Sequence, residues 1–257
     1  MGCYPLFVCR DWSALEADLA DLDGLVSLSL VSDPFGQYDE RDLRRCFPDV
    51  LMPFKPHFVT DLTRPLTDVV SRHHRYYARK ALDRVTVERC ASPAAHLDEW
   101  ILLYSHLIAR HDLKGIQAFS RGAFAAQLGT PGIVMLRATC DGEVVGAHLW
   151  YQQGNVAQSH LAAVSARGYA LMASYALHWF ALQTFAGEVS WLNLGSGAGL
   201  RSDPRNGLTA FKRGWATGTR MAYFCGRILD RPAYDALAAR SGATDGYFPA
   251  YRRGEFG

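Results

Sequence analysis

Residues 132–164 read GIVMLRATCDGEVVGAHLWYQQGNVAQSHLAAV, and this stretch decides the fold. Gly132 to Cys140 and Val144 to Gln152 have the composition and spacing of half-buried strands. Asp141-Gly142 lies between them, and Asp-Gly is the favoured dipeptide of a two-residue hairpin turn because such turns need positive φ. Gly154-Asn155 turns the chain again, into Val156–Val164. The three consecutive strands form a meander.

Working outward toward the C-terminus, a long helix is expected from about Tyr169 to Phe185. A buried strand, Val189–Leu194, then runs into Gly195-Ser196-Gly197-Ala198-Gly199. Gly207–Trp215 reads as a short helix, Met221–Leu229 as a strand and Pro232–Ala239 as a final helix. In the other direction, Ser120 caps a helix reaching Leu128. Ser92-Pro93 opens another whose apolar stripe is Leu97, Trp100, Ile101, Tyr104, Leu107 and Ile108. Val85–Arg89 alternates as a strand, and Leu66–Leu82 is helical. From Val85 the order is β-α-α-β-β-β-α-β-α-β. That order predicts an α/β fold on a mixed α+β sheet, since a meander cannot sit in a fully parallel one.

The first 70 residues are too few for a second complete domain. They hold a short strand (Tyr4–Cys9), an amphipathic helix opened by Asp11-Trp12-Ser13 with Leu15, Leu19 and Leu22 on one face, a strand (Leu25–Val31) and a helix (Glu40–Cys46). Leu51–Leu62 carries Pro53 and Pro56, so an edge strand at best is expected there. The reading is a truncated N-terminal α/β half-domain over 1–70 and a main domain with a C-terminal tail over 71–257.

Composition narrows the function. The net charge of the 257 residues is +2, so no whole-chain field points to nucleic acid or membrane. Apolar runs such as Leu25–Val31 fall short of the ~20 residues a membrane span needs. The N-terminus has neither the positive region nor the long apolar region of a secretory signal, and a cytoplasmic enzyme is expected. Cys3, Cys9, Cys46, Cys90, Cys140 and Cys225 are scattered without a C-x-x-C pair, so reduced thiols and no metal site are expected.

Several stretches in sequence order resemble the GNAT acyltransferases, and within them the FemAB-like branch. The helix Ser71-Arg72-His73-His74-Arg75-Tyr76-Tyr77-Ala78-Arg79-Lys80-Ala81 looks like that branch's "R…RKA" helix. His160-Leu161-Ala162-Ala163, its polar loop and the next helix look like the fourth strand and its successor. Asn193-Leu194-Gly195 resembles a "(D/N)-L-G" strand end. Gly207-Leu208-x-x-Phe211-Lys212-x-Gly214 resembles a "GL..FK..(F/W)G" segment. The resemblance covers about Arg72 to Arg227 and implies a GNAT-like fold.

The resemblance also implies roles. The loop after the fourth strand would hold a carrier's pyrophosphate in the pattern [QR]-x-x-G-x-[GA]. Here it reads Ser165-Ala166-Arg167-Gly168-Tyr169-Ala170, with Gly168 and Ala170 in place and Ser165 where Gln or Arg is usual; Arg167 supplies charge from a neighbouring position. Asn193 would complete the cofactor site. Lys212 would stabilise charge at the transferring acyl group, beside Phe211 at the substrate. His160 would act as a base, with His178, His106 and His111 as other candidates, and Tyr175 or Tyr169 would protonate a leaving group. Arg72, Arg75 and Arg79 share one helical face by spacing alone, where a phosphate-bearing substrate would dock. Gly195–Gly199 is one residue short of G-x-G-x-x-G and is read as a loop lining the cleft.

The implied activity is N-acyl transfer from acetyl-CoA, another acyl-CoA or an acyl-carrier protein to the amine of a small-molecule acceptor, a sugar or cell-envelope precursor among them. Two alternatives stay open: an aminoacyl-tRNA donor, and a non-catalytic GNAT-like binding protein. A homodimer is a further expectation, because the short first region leaves a sheet edge for a second copy to cover.

Overall fold

The computed structural model describes residues 6–115, 118–197, 206–241 and 246–253. Its elements are β1 (Leu6–Phe7), α1 (Leu15–Ala20), β2 (Ser27–Ser32), α2 (Glu40–Cys46), β3 (Val50–Asp61), α3 (Leu66–Val69), α4 (Arg72–Leu82), β4 (Thr86–Arg89), α5 (Leu97–His111), α6 (Arg121–Leu128), β5 (Ile133–Cys140), β6 (Glu143–Gln153), β7 (Val156–Val164), α7 (Ala166–Ala170), α8 (Ala173–Phe185), β8 (Trp191–Gly195), α9 (Gly207–Arg213), β9 (Gly218–Ile228) and α10 (Arg231–Ser241). The fold is α/β on a mixed sheet, as the meander requires.

The chain forms two compact units, one of residues 57–219 and one of residues 2–56 with 220–257. The sequence reading divided the chain at residue 70; these units divide it elsewhere for a pairing reason. Residues Phe58–Asp61 of β3 pair antiparallel with β8, whereas Phe224–Ile228 of β9 pair with β2.

In the 57–219 unit the strand order is β3-β8-β7-β6-β5-β4. β7 and β8 are parallel and the other described pairs antiparallel. Asp141 and Gly142 take φ of 51° and 78° at the hairpin turn, which is why that dipeptide was readable. A register shift in the β6–β7 pair, where Leu149 faces Leu161 and Trp150 faces Ser159, leaves His160 as the extra residue of a bulge. Side chains alternate between two cores. Val134, Leu136 and Ala138 join Leu177, Leu182, Phe185 and Trp215 on one face, while Met135, Ala147 and Leu149 meet Trp100, Leu103, Tyr104 and Phe124 on the other. α4 packs on α8, and its buried residues are His74, Ala78 and Ala81.

Three expectations are corrected. The stretch read as an edge strand at best is a regular twelve-residue strand, Val50–Asp61, whose last four residues pair with β8; Pro53 and Pro56 fall outside that paired part, so their missing N–H groups disturb nothing there. The helix expected over Leu66–Leu82 is two helices, because Val70 is extended and Ser71 starts afresh as the N-cap of α4, accepting from His74 N. The helix expected from Tyr169 to Phe185 is also two, α7 and α8, interrupted where Met172 adopts φ 60°.

In the other unit β1 pairs parallel with β2, and β2 antiparallel with β9. Trp12, Leu15, Leu19, Leu30, Leu43 and Phe47 form its core. Asp39 caps α2, its Oδ1 accepting from Arg41 N at 2.7 Å and Asp42 N at 2.9 Å, while Asp42 Oδ2 accepts from Asp39 N at 3.0 Å. Tyr4 and Pro5 of the strand expected at the N-terminus lie outside the described residues.

Candidate functional site

α9 carries Phe211 and Lys212, and the chain fixes it at both ends. Asn206 caps it, Oδ1 accepting from Leu208 N at 2.8 Å. At the other end Trp215 is fully buried, its carbonyl accepts from Thr60 Oγ1 at 2.8 Å, and Ser71 N donates to Gly214 O at 3.0 Å. His74 Nε2 donates to Phe211 O at 2.9 Å while its Nδ1 meets Ser71 Oγ at 2.9 Å, so a carbonyl fixes which nitrogen holds the proton. Gly214 has no substitute, because a Cβ there would overlap the His74 ring.

With α9 pinned, the Lys212 ammonium reaches the end of β8. Its Nζ donates to Ser196 O at 2.7 Å. Gly195, at φ 73°, gives the strand its turn, and a Cβ on it would stand 3.3 Å from Lys212 Nζ. Asn193 shapes that turn from within: its buried Oδ1 accepts Gly195 N–H at 2.9 Å and His57 Nδ1–H at 3.0 Å. Asn193 is therefore a buried bracket between β3, β8 and the loop on which Lys212 rests. Ala198 and Gly199 of the glycine-rich loop lie outside the described residues.

The surroundings of Lys212 are aromatic and hold neutral histidines. His178 lies edge-on to Phe211 at 4.8 Å and stacks on Trp215 at 5.6 Å. Its Nδ1–H donates to Ser174 O at 2.9 Å, which leaves the lone pair on Nε2. Burial first, and then the positive charge of Lys212 and a contribution from His74, bring its pKa down to about 4, against the hydrogen bond to Ser174. His148 packs 4.8 Å from the His178 ring and bonds Ser159 Oγ through Nε2 at 2.9 Å. Burial, with His178 and Lys212 next, pushes it well below the ordinary histidine range.

The other predicted residues divide. Tyr175 joins the site, with Phe211 at 5.0 Å, His74 at 5.2 Å and Tyr77 at 5.4 Å; burial raises its pKa. His160 packs elsewhere: Nε2 meets Gln127 Oε1 at 2.8 Å, the ring lies 4.8 Å from Tyr151, and burial brings its pKa down to about 4.

The turn from β7 into α7 is capped by its own serine. Ser165 N donates to Val145 O at 3.0 Å, and Ser165 Oγ accepts from Gly168 N at 3.1 Å. A Cβ at Gly168 would overlap the Val145 carbonyl oxygen, so this glycine lets two backbones touch. Arg167 pairs with Asp141 and, at 2.6 Å, with Glu143. Tyr169 lies beneath the Arg110 guanidinium at 3.9 Å, and Ala170 ends a helix of five residues. Arg72 and Arg79 are exposed on α4 and Arg75 is half-buried.

His57, His74 and His148 were not among the sequence candidates. His57 sits in the proline-bearing stretch read as an edge strand at best. His74 sits in a run of polar residues. His148 differs in nothing local from any strand histidine. Only the pairing of β3 with β8 and the packing of α4 on α8 give them neighbours.

Among the described residues no group of three or more His, Cys, Asp or Glu is arranged as metal ligands. No described helix is long and apolar enough to cross a membrane.

Residues 70–213 match the family model described as acetyltransferase (GNAT) domain. No curated protein sequence matches the chain. Among solved structures, FemX superposes with a TM-score of 0.63 at 15% identity, covering 88% of this chain and 80% of that one. The C-terminal domain of a putative lysylphosphatidylglycerol synthetase from Agrobacterium fabrum gives 0.60 at 17%, covering 83% and 71%. L-PGS from Bacillus licheniformis gives 0.55 at 16%, covering 82% and 72%. At these identities the likeness is one of fold.

Proposed function

The chain belongs to the acetyltransferase (GNAT) domain family, and from that premise we propose that it transfers an aminoacyl group from aminoacyl-tRNA to an amine of a small-molecule acceptor. The family's fold supports transfer of acyl or aminoacyl groups to an amine or hydroxyl, and its members generally use acyl-CoA. The observation that carries the different donor is the serine-capped β7–α7 turn. A pyrophosphate there needs outward-facing donors. Ser165 already holds the amide of Gly168, and Asp141 and Glu143 already hold Arg167. α7 is five residues long and is separated from α8 at Met172, so the longer helix does not add its dipole to the turn. In this reading the segment is a poor seat for a CoA pyrophosphate. Support also comes from two of the structures of similar fold, one named FemX and one a putative lysylphosphatidylglycerol synthetase, a protein named for an aminoacylated product.

In this reading the acceptor amine attacks the ester carbonyl of the donor. A C–N bond forms and the C–O bond to the ribose breaks. Lys212 supplies positive charge as the carbonyl oxygen becomes anionic. His178 Nε2, neutral at pH 7, takes the proton of the amine, and the leaving oxygen receives it. Phe211, Tyr175 and Trp215 keep water from the ester. His160 braces β7 through Gln127.

The test offers the purified full chain labelled aminoacyl-tRNA, and separately labelled acetyl-CoA and longer acyl-CoAs, with a panel of amines. Label passing from tRNA to an amine, and lost in Lys212→Met, is the expected result. Saturable turnover of an acyl-CoA with aminoacyl-tRNA left intact would overturn the donor assignment. Carrier binding without turnover of either would favour the non-catalytic alternative.

A further inference from the structure

α4 presents an outward face unlike an ordinary solvated helix. On an ideal helix with 100° per residue, Arg75, Arg79, Arg72, Tyr76, Lys80 and His73 follow one another around one arc of roughly 160°. The helix contains no Asp or Glu, and its opposite side carries the buried His74, Ala78 and Ala81. Solvated helix faces usually interleave both signs. This one interleaves cations with rings.

Two further observations point to a ligand. Among the described residues, Arg72, Arg75, Arg79 and Lys80 have no carboxylate partner, as is also true of Arg41, Arg44 and Arg64, while Arg89, Arg121 and Arg231 each have one and Arg45, Arg137 and Arg167 two. Arg75 Nε is also out of contact with solvent and hydrogen-bonded to nothing among those residues. The rings, meanwhile, continue inward. His73 lies 4.6 Å from Tyr77, Tyr77 5.4 Å from Tyr175, Tyr175 5.0 Å from Phe211, and Phe211 4.8 Å from His178. This ladder joins the exposed α4 face to the surroundings of Lys212. At its outer end Tyr76 is 58% exposed, a large ring held in water 5.2 Å from Tyr77.

We propose that this face binds the unpaired 3′ end of an RNA, with Arg72, Arg75 and Arg79 on its phosphates and Tyr76 and His73 stacked on its bases. The proposal rests on the aminoacyl-tRNA reading and says where that donor docks. Cations that track a backbone and rings that take any base are what single-stranded nucleic acid requires. Duplex RNA offers phosphates but no free base faces, and an anionic membrane offers charge without planar groups to stack. The ladder gives direction: an end seated on Tyr76 and His73 continues over Tyr77 and Tyr175 toward Lys212.

The experiment measures fluorescence anisotropy of a labelled RNA hairpin with a single-stranded 3′ CCA end, the same hairpin blunt-ended, and phosphatidylglycerol vesicles. The overhang should bind more tightly than the blunt hairpin. Tyr76→Ala, at an exposed position, should keep the wild-type thermal transition and weaken overhang binding about tenfold. Arg72→Gln with Arg79→Gln should lower the slope of log K against log salt by about 1.4, roughly 0.7 for each phosphate that no longer meets a guanidinium. Arg167→Ala is the control and should change neither. If the wild type binds the overhang and these variants bind it equally well, this surface is overturned and the donor reading stands. If the wild type binds no RNA, both fall. Equal affinity for blunt and overhanging hairpins, or preference for vesicles over RNA, also overturns the surface.

Discussion

Strands β7 and β8 run parallel, side by side, so their C-terminal ends emerge at the same edge of the sheet, yet the two ends are finished in opposite ways. β7 ends in a turn with a serine cap on the Gly168 amide, a glycine pressed on the Val145 carbonyl, and an arginine held by two carboxylates. β8 ends in a turn braced from below by Asn193 and His57, with the Lys212 ammonium laid across it and neutral histidines nearby. Matching a family's motif at a strand end leaves open which of its groups are free. What the donors of that strand end are already bonded to decides what they can offer a ligand.

The largest expected effect is at the β8 end. Lys212→Met should lower kcat about 100- to 1000-fold, as loss of one fixed charge at a developing oxyanion does, with little change in the thermal transition. A variant that keeps its rate would remove the distinction between the two strand ends. The next effect is on stability, at the β7 end. Gly168→Ala forces a methyl against backbone and should cost on the order of 3 kcal/mol in denaturant unfolding. An unchanged midpoint would mean that the turn is looser than its hydrogen bonds imply.

Acid sharpens the comparison, because each side has a buried histidine held at about 4: His160 on β7 and His178 beside Lys212. The unfolded chain takes up these protons below about 6.5 and the folded chain resists until about 4. Their stabilisation is therefore complete above pH 6.5 and is lost as pH falls to 4, on the order of 3 kcal/mol for each site. Urea unfolding from pH 7.5 to 4 should show this loss. His160→Gln and His178→Phe should each flatten part of it, and only the second should also lower activity. The smallest effect is at Arg167. Arg167→Ala breaks only exposed ion pairs and should leave both the thermal midpoint and the apparent KM for donor unchanged. A large rise in that KM would return the β7 turn to the donor site.

The hairpin at Asp141-Gly142 and the cap at Ser120 were legible because each depends on residues within a few positions of one another. Two kinds of feature were not. Breaks at Val70 and Met172 interrupt stretches whose apolar spacing is continuous, and no glycine or proline marks them. β3 looked weak because of its prolines, while its pairing depends on β8, more than a hundred residues later in the chain. Lys212 and Tyr175 were readable through resemblance and meet around Phe211. Asn193 lies at the same strand end as an internal brace, and His57, which completes it, carried no local signal.

By itself the sequence determined the order of elements, the meander, the fold class and the helix that carries Lys212, because turn chemistry and apolar periodicity act between near neighbours along the chain. Only the tertiary structure decided which donors at the two strand ends are already engaged, which histidines lie near Lys212, and that the α4 arginines lack carboxylates among the described residues while Arg167 has two. Hydrogen-bond partners, burial and charge neighbours are relations between segments distant in sequence. They exist only once strands pair and helices pack, and they set what each side chain can do.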